Sequence, residues 1–339
     1  MVALLALGGC ATLDYYAQSV GGHLALMSRR VPVERVIRDP STPASLRNRL
    51  SLALEVREFA HRELDLPNNQ SYRSYVDLVR PFVSWTVVAA PELSLAPKTW
   101  CFPVVGCVAY RGYFDEAAAW RFAGSLQEQG YDVHVAGVRA YSTLGWFDDP
   151  LLNTMVAQPD HRLAGVIFHE LAHQRLYVPG DSAFNEAYAM VIEREGIRRW
   201  LAAAGDPEAL RRYREDAERR EQFLALVRDT RKSLEAIYAA ELDDDEKRRR
   251  KFRAFERMRA DYRALRAGWN GYSGYDAWFD SGLNNAKLAL VATYNAWVPA
   301  LERLLGREGA DLRAFNAACE KLAGMDKQAR TAALEKLGG

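Results

Sequence analysis

A chain of 339 residues with 49% hydrophobic residues has enough apolar mass to bury a core, as one large domain or two ordinary ones. Lys plus Arg number 45 against 44 Asp plus Glu, a net charge of +1, so no basic surplus marks a nucleic-acid binder. Tandem repeats and long low-complexity tracts are absent, which excludes solenoid and fibrous classes.

The first ten residues are an apolar run ending Leu7-Gly8-Gly9-Cys10, too short to span a bilayer. The pattern looks like the end of a bacterial lipoprotein signal, in which small residues admit the signal peptidase and the Cys10 thiol takes a lipid. Residues 1–10 are therefore expected to be a signal remnant, and residues 11–339 a single domain held to the membrane through lipid on Cys10. Ala11, where Asp would favour inner-membrane retention, points to the outer membrane, with the protein facing the periplasm. Export would put the cysteines in an oxidising compartment. Cys101 and Cys107 are the close pair, expected to bridge across a strand-turn-strand, whereas Cys319 is expected to be a buried free thiol. Neither a C-x-x-C knuckle nor a second close pair exists, so these cysteines do not predict a metal site.

From Ser45 to Leu64, Leu46, Leu50, Leu54, Phe59 and Ala60 fall at helical spacing behind a Thr/Pro/Ser start. Between Phe82 and Phe114 the chain turns β-branched and aromatic, predicting two or three short strands within Val83–Val88 and Val104–Tyr113. Asp115 caps a helix that Gly130 ends, and Tyr131–Val138 alternates as one more strand. After Asp160 only helices are expected. Arg211 to Arg266 intersperses opposite charges at i, i+4, which predicts a solvated helical hairpin broken at Leu242-Asp243-Asp244-Asp245.

Residues 166–175 read Val-Ile-Phe-His-Glu-Leu-Ala-His-Gln-Arg, containing H-E-L-A-H. Positions i and i+4 share a helix face, so His169 and His173 can each place a ring nitrogen roughly 2.0–2.1 Å from one Zn²⁺. Glu170 lies about 100° around the helix from His169. There it can take the proton of the attacking water and pass it to the leaving amine, the role of general base and acid. The flanking apolar residues predict a buried helix, where a Glu between two histidines needs a reason. A catalytic zinc usually keeps three protein ligands. A metzincin would offer Gly at 176 and His at 179, where Leu176 and Pro179 stand instead. Glu186, in the first turns of the next helix beside Ala183, Ala187 and Ala189, is the expected third ligand. Asp181 competes with it, and Glu193, two turns beyond Glu186, could orient a metal-binding histidine. His23, His61, His134 and His161 show no ligand spacing.

Several stretches together resemble the gluzincin-like bacterial lipoproteins described as zinc aminopeptidases. They are Gly9-Cys10 with Asp14-Tyr15-Tyr16, Val105 to Phe114, H-E-L-A-H-Q at 169–174, Asn185-Glu186, and Leu283-Asn284-Asn285-Ala286 with Tyr294. The resemblance covers nearly the whole chain and implies a membrane-anchored zinc metallopeptidase, with His169, His173 and Glu186 as ligands and Glu170 as base. In such zincin folds an edge strand above the motif helix pairs with the extended substrate, and Val104–Tyr113 is the candidate for that strand. Tyr110 or Tyr294 is the candidate donor to the oxyanion.

The expected architecture is α+β, mainly helical and zincin-like, with one small sheet packed on the H-E-L-A-H helix. The expected activity is hydrolysis of peptide or protein substrates with one zinc per chain, aminopeptidase specificity being the finer expectation. The alternative is a zincin-fold envelope protein that binds partners without cleaving them. The glycine-rich, aromatic segment Gly268–Phe279 is a candidate lid.

Overall fold

The computed structural model describes residues 7–103 and 106–338, with side chains from Asp14. Residues 1–6 of the expected signal remnant lie outside the described residues, as does the side chain of Cys10. Helix α1 (Leu7–Ser28) leads through β1 (Val31–Pro32) and the short α2 (Val33–Arg38) to α3 (Ala44–Leu64). Helix α3 begins one residue before its expected start and ends at Asp65, which takes the left-handed cap conformation. Its buried residues Leu50, Ala53, Val56, Ala60 and Leu64 recur at three- and four-residue intervals, so one stripe faces the core.

The strands follow: β2 (Ser74–Val76), β3 (Ser84–Pro91), β4 (Trp100–Phe102), β5 (Gly106–Val108), β6 (Arg111–Tyr113), β7 (Tyr131–Val138) and β8 (Leu151–Leu152). They form three small sheets, ordered β1-β2-β8, β6-β3-β7 and β4-β5. The expected single strand over Val104–Tyr113 is therefore two segments in different sheets. Gly106, at φ +75°, starts β5, which folds back on β4, and the chain then bends before β6 joins β3. Cys101 and Cys107 face each other in the β4–β5 register and form a disulfide. Closing so short a loop is worth about 2 kcal/mol. Mass spectrometry of oxidised protein is expected to show this bridge, and Cys101→Ser to lower unfolding stability by about that amount; two free thiols in the oxidised protein would refute the pairing.

Alternation along β3 sends Trp85, Val87 and Ala89 to one face, where they meet Ala119, Ala123 and Leu126 of α4 (Glu116–Gln127). Val88 and Ala90 go to the other, packing on Ala286 and Leu290 of α11 (Asn285–Asn295) beside Tyr110. The motif helix α6 (Asp160–Arg175) follows the short α5 (Asn153–Val156) and lies instead against α3 and α7 (Ser182–Ala203). Three small sheets stand where one was expected: the β6-β3-β7 sheet has its own two helical covers, and the motif helix shares the main core with Tyr75, Val76, Leu151 and Leu152 of the β1-β2-β8 sheet. Phe168, Ile167 and Leu171 of α6 are fully buried in the main core with Leu50 and Leu64 of α3 and Tyr188 of α7.

Helices α8 (Pro207–Ala239) and α9 (Asp244–Ala267) make the expected antiparallel hairpin, capped by Asp206 and Asp243. Its apolar seam, Phe223, Val227 and Leu234 against Phe255, Met258 and Tyr262, takes in Trp269 and Phe279 with the short α10 (Asp276–Asp280). Gly268–Phe279 is thus part of the hairpin's core rather than a lid on the site: the Tyr262 and Phe279 rings stack at 3.8 Å. A cavity of about 640 Å³ opens between α8 and α9, lined by Arg250, Arg253 and Arg257 and by none of the motif residues. Helices α12 (Val298–Arg307), α13 (Leu312–Ala323) and α14 (Lys327–Gly338) close the main core, with Cys319 buried and unbridged.

Candidate metal centre

Helix α6 buries its apolar residues against α3 and α7 and leaves His169 and His173, one turn apart, toward Glu186 of α7. The loop from Leu176 to Asp181 then reverses the chain, with Gly180 at φ +79°. Asn185 fastens this loop to the first turn of α7, its amide accepting from Val178 N and donating to Val178 O, both at 2.8 Å. Glu186 is the next residue, so the staple fixes its carboxylate opposite the histidines. The two helices also approach closely at glycines. A Cβ on Gly165 would lie 2.8 Å from Ile197 Cδ1 and 3.1 Å from Glu193 Oε1, and one on Gly196 would lie 2.6 Å from Phe168.

This packing brings three of the predicted ligands to one point. His169 Nε2 and His173 Nε2 are 3.1 Å apart, and Glu186 Oε2 stands 3.3 Å from the first and 3.7 Å from the second. Among the described residues, His169, His173 and Glu186 form the group whose donor atoms, all within 4.8 Å of one another, could hold a metal ion. The polar bookkeeping agrees with that reading. Glu186 Oε2 is buried with no hydrogen bond of sound geometry, and His173 Nδ1 is buried without a partner. A buried carboxylate oxygen beside two imidazole nitrogens without an aligned hydrogen bond is poorly satisfied, and two imidazole nitrogens with one carboxylate are the donor set zinc takes. The residues present therefore fit a zinc ion.

Around this triad, His169 Nδ1 donates to Glu193 Oε2 at 3.1 Å, which turns Nε2 toward the cluster. Burial alone would lower the His169 pKa, but the carboxylates of Glu186 and Glu193 outweigh it and raise it well above its ordinary value. Glu186 shows the reciprocal effect: burial opposes ionisation, yet the two histidines pull its pKa down to about 2. Glu170, half-buried, follows His169 directly on the motif helix. Tyr110 is raised far up by burial and then by the charges of Glu186 and Glu170, and Tyr294 by Glu186 and then by burial. Both phenols thus keep their protons beside the carboxylates and remain able to donate.

Asp181 does not join the cluster. Its carboxylate caps α7 through Phe184 N and pairs with buried Arg330 at 2.8 Å. Asp181→Ala is expected to keep full metal binding while costing about 3 kcal/mol, because it leaves the Arg330 charge buried and unpaired. Thermal melting and metal analysis of that variant check both halves. The other histidines are engaged elsewhere: His23 with the Tyr141 hydroxyl at 2.9 Å, and His61 with Leu66 O at 3.2 Å. On β7, burial and then the charge of Lys287 push His134 down to about 4.

The spacing of charged residues gives no hint of the polar network around Gln174, the residue after His173. Its side chain meets Asn69 Nδ2 at 2.6 Å, Ser71 Oγ at 3.2 Å and Asp149 Oδ2 at 3.4 Å. Buried Arg57 of α3 holds the backbone carbonyls of Ser71 and Asn69. The only local signal is the polar run Asn68-Asn69-Gln70-Ser71, which reads as a turn.

No curated protein and no solved structure matches the chain significantly. The chain belongs to the family whose model, described as "Putative aminopeptidase", matches residues 14–334.

Proposed function

We propose that the protein is a zinc-dependent peptidase with a zincin-like site, in which His169, His173 and Glu186 hold one zinc and Glu170 is the general base. The observation that carries this reading is the convergence of His169 Nε2, His173 Nε2 and Glu186 Oε2, with the carboxylate oxygen buried and making no aligned hydrogen bond. When bound, zinc supplies a Lewis acid that makes water acidic near neutral pH and polarises a carbonyl. Glu193 keeps His169 in the tautomer whose Nε2 lone pair faces the cluster. Glu170 takes the proton of the attacking water and returns it to the leaving amine as the peptide bond breaks. Tyr110 or Tyr294 donates to the oxygen on which negative charge develops. The family description supports aminopeptidase specificity as the finer reading. Incubation of zinc-loaded protein with peptides bearing free and blocked N-termini tests it: cleavage abolished by a chelator and restored by zinc is expected, and inert peptides with a loaded site would leave a binder.

Attachment to the outer membrane through lipid on Cys10, with the site on the periplasmic side, belongs to the same proposal. Cys10→Ser is expected to move the protein from the membrane to the soluble fraction, since one lipid-bearing residue supplies the anchor. Unchanged fractionation would overturn that attachment.

A further inference from the structure

The chemistry above leaves unused a tightly built loop between β7 and β8. Its hub is Thr143, whose N–H donates to Asp149 Oδ2 at 2.9 Å and whose hydroxyl meets Asp149 Oδ1 at 2.8 Å. The same hydroxyl accepts from Phe147 N at 3.0 Å, and Trp146 N donates to Thr143 O at 3.1 Å. At the tip, Leu144 and Gly145 sit at φ +57° and +83°. Two successive left-handed residues define a tight turn, and Leu in that region is strained, so the surrounding bonds hold the tip in one shape. This fixed tip carries two large aromatic side chains: Trp146 is 72% exposed, and Phe147, 54% exposed, lies with one edge against α1, its ring 4.6 Å from that of His23.

The loop is tied to the motif helix. A Cβ on Gly145 would lie 3.6 Å from the Gln174 side chain, and Asp149 Oδ2 accepts from Gln174 Nε2, one residue past His173. Glu170 lies close enough that its charge adds to burial in raising the Asp149 pKa to about 7. The exposed aromatics therefore stand on a rigid support anchored at the same end of α6 as the ligands.

We propose that Trp146 and Phe147 form an apolar wall of the substrate cleft and select a large apolar or aromatic side chain next to the scissile bond. The proposal rests on the peptidase reading and names its substrate class. Aromatic side chains on a rigid loop recognise apolar groups at low entropic cost, and adjacency to the site fixes which bond the recognised side chain flanks.

The test compares peptides differing in one side chain, Phe against Ala. Their binding to zinc-loaded Glu170→Gln protein is measured by calorimetry, and their cleavage by the active enzyme as a KM-against-kcat split. Trp146→Ala and Phe147→Ala are expected to lower the Phe-over-Ala preference about tenfold each, chiefly through Kd and KM, and Trp146→Phe to retain most of it. Trp146 is 72% exposed, so an unchanged melting temperature accompanies the effect of Trp146→Ala. An unaltered preference in the alanine variants overturns the proposal, as does a change confined to vesicle binding or to oligomeric state. If the wild-type protein neither binds nor cleaves any peptide with its metal in place, the peptidase reading falls as well. Cleavage that ignores the loop overturns the wall alone.

Discussion

Glu170→Gln is expected to keep its metal while losing turnover by roughly 10²–10⁴. Gln matches Glu in shape and leaves His169, His173 and Glu186 untouched, so the cluster with its 3.1 Å and 3.3 Å spacings survives. What disappears is the group that accepts a proton from the attacking water. Metal analysis and peptidase rates on the same preparation separate the two effects, because loss of zinc would lower activity for a different reason. Wild-type rates in a fully loaded Glu170→Gln protein would show that the motif does not work as a zinc peptidase site.

Glu186→Ala should act in the opposite way, with occupancy and activity falling together. Two histidines one turn apart hold zinc poorly without a third protein ligand. The same change removes the buried carboxylate that raises the His169 pKa, leaving burial to act with Glu193 alone on that ring. Folding is expected to survive, since the substitution leaves the Asn185 staple on the loop and the apolar packing of α6 on α7 in place. Equilibrium dialysis against zinc, beside Asp181→Ala as comparison, reads the result. Full binding by Glu186→Ala with loss in Asp181→Ala would transfer the third ligand to Asp181.

Much of this site can be read from the chain because its information is local. The i, i+4 histidines need only a helix, and the apolar residues around them predict that helix and its burial. Choosing between Glu186 and Asp181 is harder: a carboxylate before a helix is equally a cap and a ligand. The decision comes from Arg330, 149 residues further on, which claims Asp181. The Gln174 network is hidden for the same reason, its partners lying 25 to 105 residues away.

The fold divides along similar lines. Tyr131–Val138 and the helices after Asp160 follow from alternation, 3.6-residue spacing and capping aspartates, all contained within a few turns of chain. Val104–Tyr113 misleads because a run of β-branched and aromatic residues looks alike whether it is one strand or two that part company at a bend. Which helix covers the sheet depends on side chains such as Val88 and Ala286, paired across nearly two hundred residues. Nor does periodicity separate a lid from a core segment in Gly268–Phe279, where aromatic residues serve either purpose.

Zinc stoichiometry in the purified, chelator-stripped and reloaded protein tests the central claim most directly. About one zinc per chain is predicted for the wild type, falling toward zero in His173→Ala. No zinc bound by the wild type, or full occupancy in His173→Ala, would contradict the assignment of His169, His173 and Glu186 as a metal centre.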